Sequence, residues 1–380
     1  MKASNKAHWT YVNGILLEGL ENNGTKPFWS YIKARKQDNI GVALLKKNGV
    51  LINNSKDKAE ILSDQFRSVF THEEDGAVPE LGGQTYRVID PLTIRDDGVQ
   101  KLLTRLKPNK ASGPDAIPAC ILKELANEFA PALSAFFTQS LHTGTLPSDW
   151  TKAYISPVFK KNSRHLPENY HSVSLTSICC KVMEHIIVKH IACHVDKYNI
   201  LTQYQYGFRQ ARSCETQLIT TLHDMMYHWD VKVQLDVAVL DFSKAFDTVP
   251  HNRLLVKLHH YGTDGNIHHW LSSSLKNRSQ SVVVDGESSV QVRVESGVPQ
   301  GLGPMLFLLH INDLPESGCL PMIACYTVPS TRHLSDQLAL QKDLDTIHLL
   351  FGATAGVCRL MQQNEKSCVS RDKLLCYSRS

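Results

Sequence analysis

Hydrophobic and polar positions repeat with two periods along this chain, and the elements they predict follow one another closely. Lys58–Phe70 (KAEILSDQFRSVF) carries apolar residues at helical spacing, a helix begins near Val99, and another runs from Ile121 to Leu141. Thr145–Lys161 (TLPSDWTKAYISPVFKK) reads as a loop feeding a short strand that ends at Lys160 and Lys161. From Cys179 to Leu201, the positions of Val182, Ile186, Ile187, Ile191 and Val195 predict an amphipathic helix. His251–Gly262 predicts a helix closed by its glycine, and Asn266–Leu275 predicts another. Gln280–Val294 alternates on both sides of Asp285-Gly286, a strong hairpin signal that runs directly into the tight turn ESGVPQG and an apolar helix.

Val237–Leu240 is a four-residue apolar run, read as a buried strand ending on Asp241; Ser243, Lys244 and Phe246 stand in the polar turn beyond it. A carboxylate at the end of a buried strand is costly unless it is used. It can hold a metal ion, cap the next helix, or pair with a base, and the pattern leaves all three open.

Composition narrows the class without naming the chemistry. With 42% hydrophobic and 21% charged residues in 380, the chain reads as globular and long enough for two or three domains or one large one; a net charge of +4 is too small to argue for nucleic acid. None of the ten cysteines forms a C-x-x-C pair, so no zinc ribbon or redox motif is indicated, and reduced thiols in an intracellular protein are the expectation. The N-terminus reads without a signal peptide, and the longest apolar run, Leu302–Leu309, is too short to span a bilayer. No membrane association is expected. The stretch from Glu73 to Asp97, rich in acids, Gly and Pro, reads as a linker. His190 and His194 lie one helical turn apart but lack a third ligand, so core or surface histidines are expected there.

Taken in order, LKPNKASGPDAIP, LPSDWTKAYISPVFKK with ENYHSVSLTSICCKVMEHII, QYGFRQARSCETQL, VLDFSKAFDTVPH, SGVPQG with LGPMLFLLHINDLP, and LALQKDLDTI resemble the reverse transcriptase domain of non-LTR retrotransposons, the LINE class of jockey-like and chicken-repeat-like elements. The resemblance covers residues 9 to about 370. It implies an α+β right-hand polymerase: fingers and palm with an antiparallel palm sheet packed on helices, a partial thumb, and a helical N-terminal extension. Residues 1–90 would be the extension and linker, 91–330 the fingers and palm, and 331–380 a degenerate palm and thumb remnant. RNA template and DNA primer would be the partners, and Mg2+ the metal, with no small-molecule cofactor. Carried over by position, Asp241 would be the first catalytic carboxylate and metal ligand. Phe246 would exclude a ribose 2'-hydroxyl, and Gln300 would touch the nucleotide. Lys160, Lys161 and His171 would meet its phosphates, Arg209, Lys107 and Lys110 would follow the template, and Asp247 would be structural.

The family pattern also breaks in places. Where it has an aromatic-Ala-Asp-Asp turn, this chain reads GCLPMIACYTVPSTRH, which puts Cys325 and Tyr326 in place of two aspartates. Neither replaces a carboxylate for a hard cation. The nearest acid, Asp313, stands in the family in addition to that pair. NYRP becomes NYHS, so His171 stands for an arginine that offers a bidentate fork. Two residues fewer between PQG and LGP, at Gly301-Leu302, would turn the next helix by about 200° at 3.6 residues per turn. These departures lead to the expectation of a reverse transcriptase domain without activity. Two alternatives stay open: an active polymerase whose Asp-Asp codons are missing from this reading, and a domesticated nucleic-acid-binding protein.

Overall fold

The computed structural model describes residues 41–73, 86–231, 234–242, 244–313, 324–330 and 354–360, of which 234–241 and the last two stretches are described as backbone only. Residues 1–40, the middle of the acid-rich linker and LALQKDLDTI lie outside the described residues. The extension expected to be helical opens, where it is described, with a hairpin: β1 (Leu45–Lys47) pairs antiparallel with β2 (Val50–Ile52). Asn48 and Gly49 between them have φ of 52° and 85°, the left-handed backbone that an Asn-Gly turn adopts readily. The helix α1 (Ser55–Arg67) follows, its first turn capped by the Asn54 side chain, which accepts from the Asp57 N–H at 3.1 Å.

Next come α2 (Asp96–Thr104), α3 (Ala119–Glu124) and α4 (Ala126–Thr143). The single helix expected from Ile121 to Leu141 is two, because Leu125, at φ −103° and ψ 32°, leaves helical geometry. The chain continues through β3 (Lys152–Phe159), β4 (Tyr170–Leu175), α5 (Ile178–Lys197), α6 (Cys214–Asp230) and β5 (Gln234–Asp241). Then follow α7 (His251–His260), α8 (Gly265–Lys276), β6 (Ser279–Val284), β7 (Glu287–Ser288), β8 (Val292–Arg293), α9 (Gly303–His310), β9 (Ala324–Ser330) and β10 (Thr354–Leu360).

One sheet is mixed, in the order β4-β3-β6-β7, with β8 also on β6. β3 is antiparallel to β4 along its outer six residues but parallel to β6 over Lys152–Ile155 alone. That parallel ladder stops two residues before Pro157. A proline has no N–H to give a neighbouring strand, which accounts for the parting of β3 and β6 beyond that point. β6 alternates as its sequence predicts, burying Gln280, Val282 and Val284. Its Asp285-Gly286 turn has two positive φ values, 51° and 87°, as a two-residue hairpin requires. The Asp285 carboxylate accepts from Ser55 Oγ at 3.0 Å and Lys58 Nζ at 3.3 Å, tying α1 to the turn. Leu45, Ala59, Leu62 and Phe66 therefore share a small core with Ile155, Tyr170, Val282 and Val284.

A second, larger core joins α4, α5, α7, α8 and α9 through Phe137, Met183, Ile187, Leu254, Trp270 and Leu306. The second sheet is antiparallel, β10-β5-β9, with the strand that ends on Asp241 in its centre. Helix α9 is apolar on nearly every side and buries Leu306, Phe307, Leu308, Leu309 and His310. Such a helix meets the core whichever way it is turned, so a shortened lead-in does not expel it.

Trp270 is fully buried and its Nε1 donates to Ser140 Oγ at 3.1 Å across α8 and α4. Trp270→Ala is expected to cost about 3–5 kcal/mol of stability. Urea unfolding checks this, and a loss below about 1 kcal/mol would show that the two helices do not share a packed core.

Candidate active site

The turn after β5 is held in place by a distant segment of sequence. Val298 N–H donates to the Phe246 carbonyl at 2.8 Å, Gly297 N–H to the Val249 carbonyl at 2.8 Å, and Ser296 Oγ to the Asp247 carbonyl at 2.7 Å. The buried His251 ring bonds the Gly297 carbonyl at 2.8 Å, and Thr71 closes the joint by donating its N–H to Ser296 Oγ and its hydroxyl to the Thr248 carbonyl, each at 2.8 Å. Gly297 is required twice over. Its φ is +92°, and a Cβ there would stand 2.7 Å from the Phe246 carbonyl oxygen. The motifs VLDFSKAFDTVPH and SGVPQG, fifty residues apart, thus form one rigid corner, and Thr71 in it was not apparent from the pattern.

Several expected residues meet at this corner. Phe246 is 38% exposed, its ring centre 5.1 Å from that of Phe307 on α9 and 6.2 Å from that of Phe208, which is 60% exposed. Gln300 is exposed just beyond the buried Pro299. His171 lies on β4 opposite Val158 of β3. Its imidazole is held below its usual pKa, first by burial and then by Lys160 and Lys244, with Asp247 acting in the opposite direction. Burial pushes the Asp247 carboxyl up, against Lys244 and His171. Lys160, His171, Lys244 and Asp247 therefore form one electrostatic cluster, joining the β3–β4 hairpin to the turn after β5. Lys244 was not among the expected site residues. Its signal was its place in the same turn, three residues after Asp241.

The strands beside Asp241 bring no further acid. β9 runs antiparallel with Ala324 opposite Leu240, Cys325 opposite Val239 and Tyr326 opposite Ala238, while β10 sets Thr354 opposite Asp241. Neither ACYTVPS nor TAGVCRL contains Asp or Glu. The acids of the sheet are Asp236 and Asp241, both on β5. Five residues of extended strand separate them by roughly 16 Å, whereas two metals in a phosphoryl-transfer site lie about 3.5–4 Å apart.

Other candidate residues have different partners or lie elsewhere. Asp313 pairs with Lys257 Nζ at 2.6 Å; burial lowers the lysine's pKa while Asp313 raises it. Arg209 donates to the Thr202 carbonyl at 2.8 Å, within its own loop. Lys161 is exposed beyond β3, and Lys107 and Lys110 are exposed in the loop between α2 and α3. In that loop Gly113 lies against the Thr176–Ser177 backbone, too close for any Cβ. His190 and His194 each bond a different carbonyl, of Asp90 at 2.6 Å and Tyr261 at 3.0 Å. Among the described residues, no group of three or more His, Cys, Asp or Glu is placed to hold a metal ion, and no helix is long and apolar enough to cross a membrane.

Comparison with known proteins agrees with this arrangement of motifs. Residues 158–322 match the family described as reverse transcriptase (RNA-dependent DNA polymerase). The chain is 27% identical over 342 residues to the RNA-directed DNA polymerase from mobile element jockey of Drosophila funebris, covering 86% of this chain and 37% of that protein. It is 25% identical to the probable RNA-directed DNA polymerases from transposon X-element (82% of this chain, 35% of that protein) and from transposon BS (80% and 34%), both of Drosophila melanogaster. The chain thus spans about a third of the length of these relatives. It carries a reverse transcriptase domain homologous to the RNA-directed DNA polymerases of the jockey, X-element and BS non-LTR retrotransposons.

Proposed function

We propose that this chain is the fingers and palm of a non-LTR retrotransposon reverse transcriptase that has kept its fold and lost polymerisation. On this reading residues 91–330 are fingers and palm, with the β3–β4–β6 sheet as fingers and β10-β5-β9 as palm. Residues 1–90 are the extension and linker, although 41–73 share the small core of the fingers sheet. Residues 331–380 are what remains of the palm edge and thumb.

The observation that carries the reading is the setting of Asp241 in its sheet. Phosphoryl transfer by this family needs carboxylates converging on paired divalent ions. The thiol of Cys325 and the phenol of Tyr326 are poor ligands for Mg2+, and Asp313 is committed to Lys257. The described residues around Asp241 do not fit a two-metal centre, so no catalytic step is assigned to one. If each lost contact is worth several kcal/mol in the transition state, the rate falls by many powers of ten, at about 1.4 kcal/mol per tenfold.

What the corner retains is the means to meet nucleotides and nucleic acid. Lys160 and Lys244 offer charge to phosphates, Phe246 and Phe208 offer faces to a sugar or base, and the exposed Lys107, Lys110, Lys161 and the Arg209 loop border the path proposed for a template. RNA and DNA are the partners this supports.

In a primer-extension assay with Mg2+ or Mn2+, the chain is expected to incorporate no nucleotide above the Asp241→Ala background. Incorporation that Asp241→Ala abolishes would overturn the reading and restore the active enzyme. Nucleotide retention is expected to depend on pH with a definite sign. Burial, Lys160 and Lys244 depress the His171 pKa, so its ring stays neutral at pH 7 and gains its positive charge only below the usual histidine range. Asp247, pushed up, loses its negative charge in the same direction. Titration with a deoxynucleoside triphosphate should show binding that tightens as the pH falls from 7.5 to 4.5, with the gain lying below the usual histidine range. The double variant His171→Gln/Asp247→Asn should flatten the profile, and an unchanged slope in that variant would remove these groups from the site.

A further inference from the structure

Where Pro157 ends the β3–β6 ladder, the two strands diverge around a cavity of about 470 Å3, on a part of the mixed sheet that the corner described above does not use. This is within the range of pockets that take small organic molecules. Its walls are apolar on the strand side, from Val158 and Phe159 of β3 and from Val283 and Val284 of β6. Two charged side chains border it, Arg164 and Asp285. They are not equivalent. Asp285 is already neutralised by Lys58 at 3.3 Å and accepts from Ser55. The guanidinium of Arg164 lies over the Phe159 ring, 4.9 Å from its centre, and no ion pair to it occurs among the described residues. Among the described residues, the cavity therefore carries one uncompensated positive charge beside an apolar wall.

The walls are also preorganised. The Tyr170 hydroxyl donates to the Arg164 carbonyl at 2.7 Å and accepts from the Ala43 N–H at 3.3 Å, and its ring meets Phe159 edge-on at 5.8 Å. His165 bonds the Leu44 carbonyl at 2.7 Å, and Lys46 N–H donates to the His165 carbonyl at 2.8 Å. The loop bearing Arg164 is thus tied at several points to β1 and the residues just ahead of it, and little ordering remains for a ligand to impose.

We propose that this cavity binds a small amphipathic anion: a carboxylate or phosphate on Arg164, with its apolar or aromatic body between β3 and β6. A planar guanidinium stacked on an aromatic ring is a bidentate partner for such an anion in a partly desolvated setting. The proposal does not depend on loss of polymerisation, because no residue of the corner after β5 takes part.

Isothermal titration of the full chain with octanoate and, separately, with adenosine monophosphate tests it. Saturable binding of octanoate would identify an aliphatic carboxylate, and of the nucleotide a phosphate ester that carries an aromatic base. Arg164→Gln is expected to weaken either by at least about tenfold, and Val283→Trp, which fills the cavity, to abolish it, with thermal melting confirming that both variants fold. In the unaltered chain, octanol should bind at least about tenfold more weakly than octanoate, a comparison that needs no variant. Absence of saturable binding by both anions at millimolar concentration, or equal binding of octanol and octanoate, would overturn the proposal.

Discussion

The corner in which residues 296–298 grip the turn after β5 is the constraint on which the rest of this site depends. A short loop after a strand has few contacts of its own. Here the carbonyls of Phe246, Asp247 and Val249 all accept hydrogen bonds from Ser296, Gly297 and Val298, so the turn takes its shape from a segment some fifty residues away. Each such bond contributes about 1 kcal/mol net, but together they fix geometry more than they add stability. They settle where the Phe246 ring points, how near Lys244 comes to His171, and where Gln300 emerges. A side chain at position 297 would separate both motifs at once, because it would need the space of the Phe246 carbonyl.

The sequence revealed the elements of this site better than their contacts. Helical spacing located α1, α5, α7 and α8, and Asp285-Gly286 located the β6–β7 hairpin, because each depends on residues close together in the chain. The break at Leu125 and the β1–β2 hairpin escaped periodicity: one is a single residue out of helical geometry, the other two strands of three residues each. The strand of His171 and Ser172 was seen as a motif but not as a strand, since its partner is β3 and pairing is not a local property. Among candidate residues, Asp241, Phe246 and Gln300 were named by motif and Lys244 was legible in the same turn, while the approach of Phe208 to Phe246 became visible only in space.

The ion pair between Lys257 and Asp313 shows why a motif residue need not be a chemical one. Lys257 is buried and also donates to the His310 carbonyl at the end of α9. Asp313 balances its charge and so fixes the exit of α9 against α7. Removing one partner of such a pair leaves a buried charge alone, a larger penalty than the pair's net worth.

The register of β5 between β9 and β10 has a consequence for how the fold endures. Carboxylates crowded at one end of a sheet repel one another, and a working metal centre holds that repulsion in reserve against the day its ions leave. A sheet whose described strands place a single acid at that end has no such tension among them. Substitutions that remove charge there relax the native state instead of weakening it, while the apolar helices behind the sheet continue to pack. On the proposed reading, selection for folding alone would not oppose cysteine or tyrosine in place of aspartate beside β5, and such a domain would outlast its reaction for as long as its core stays apolar.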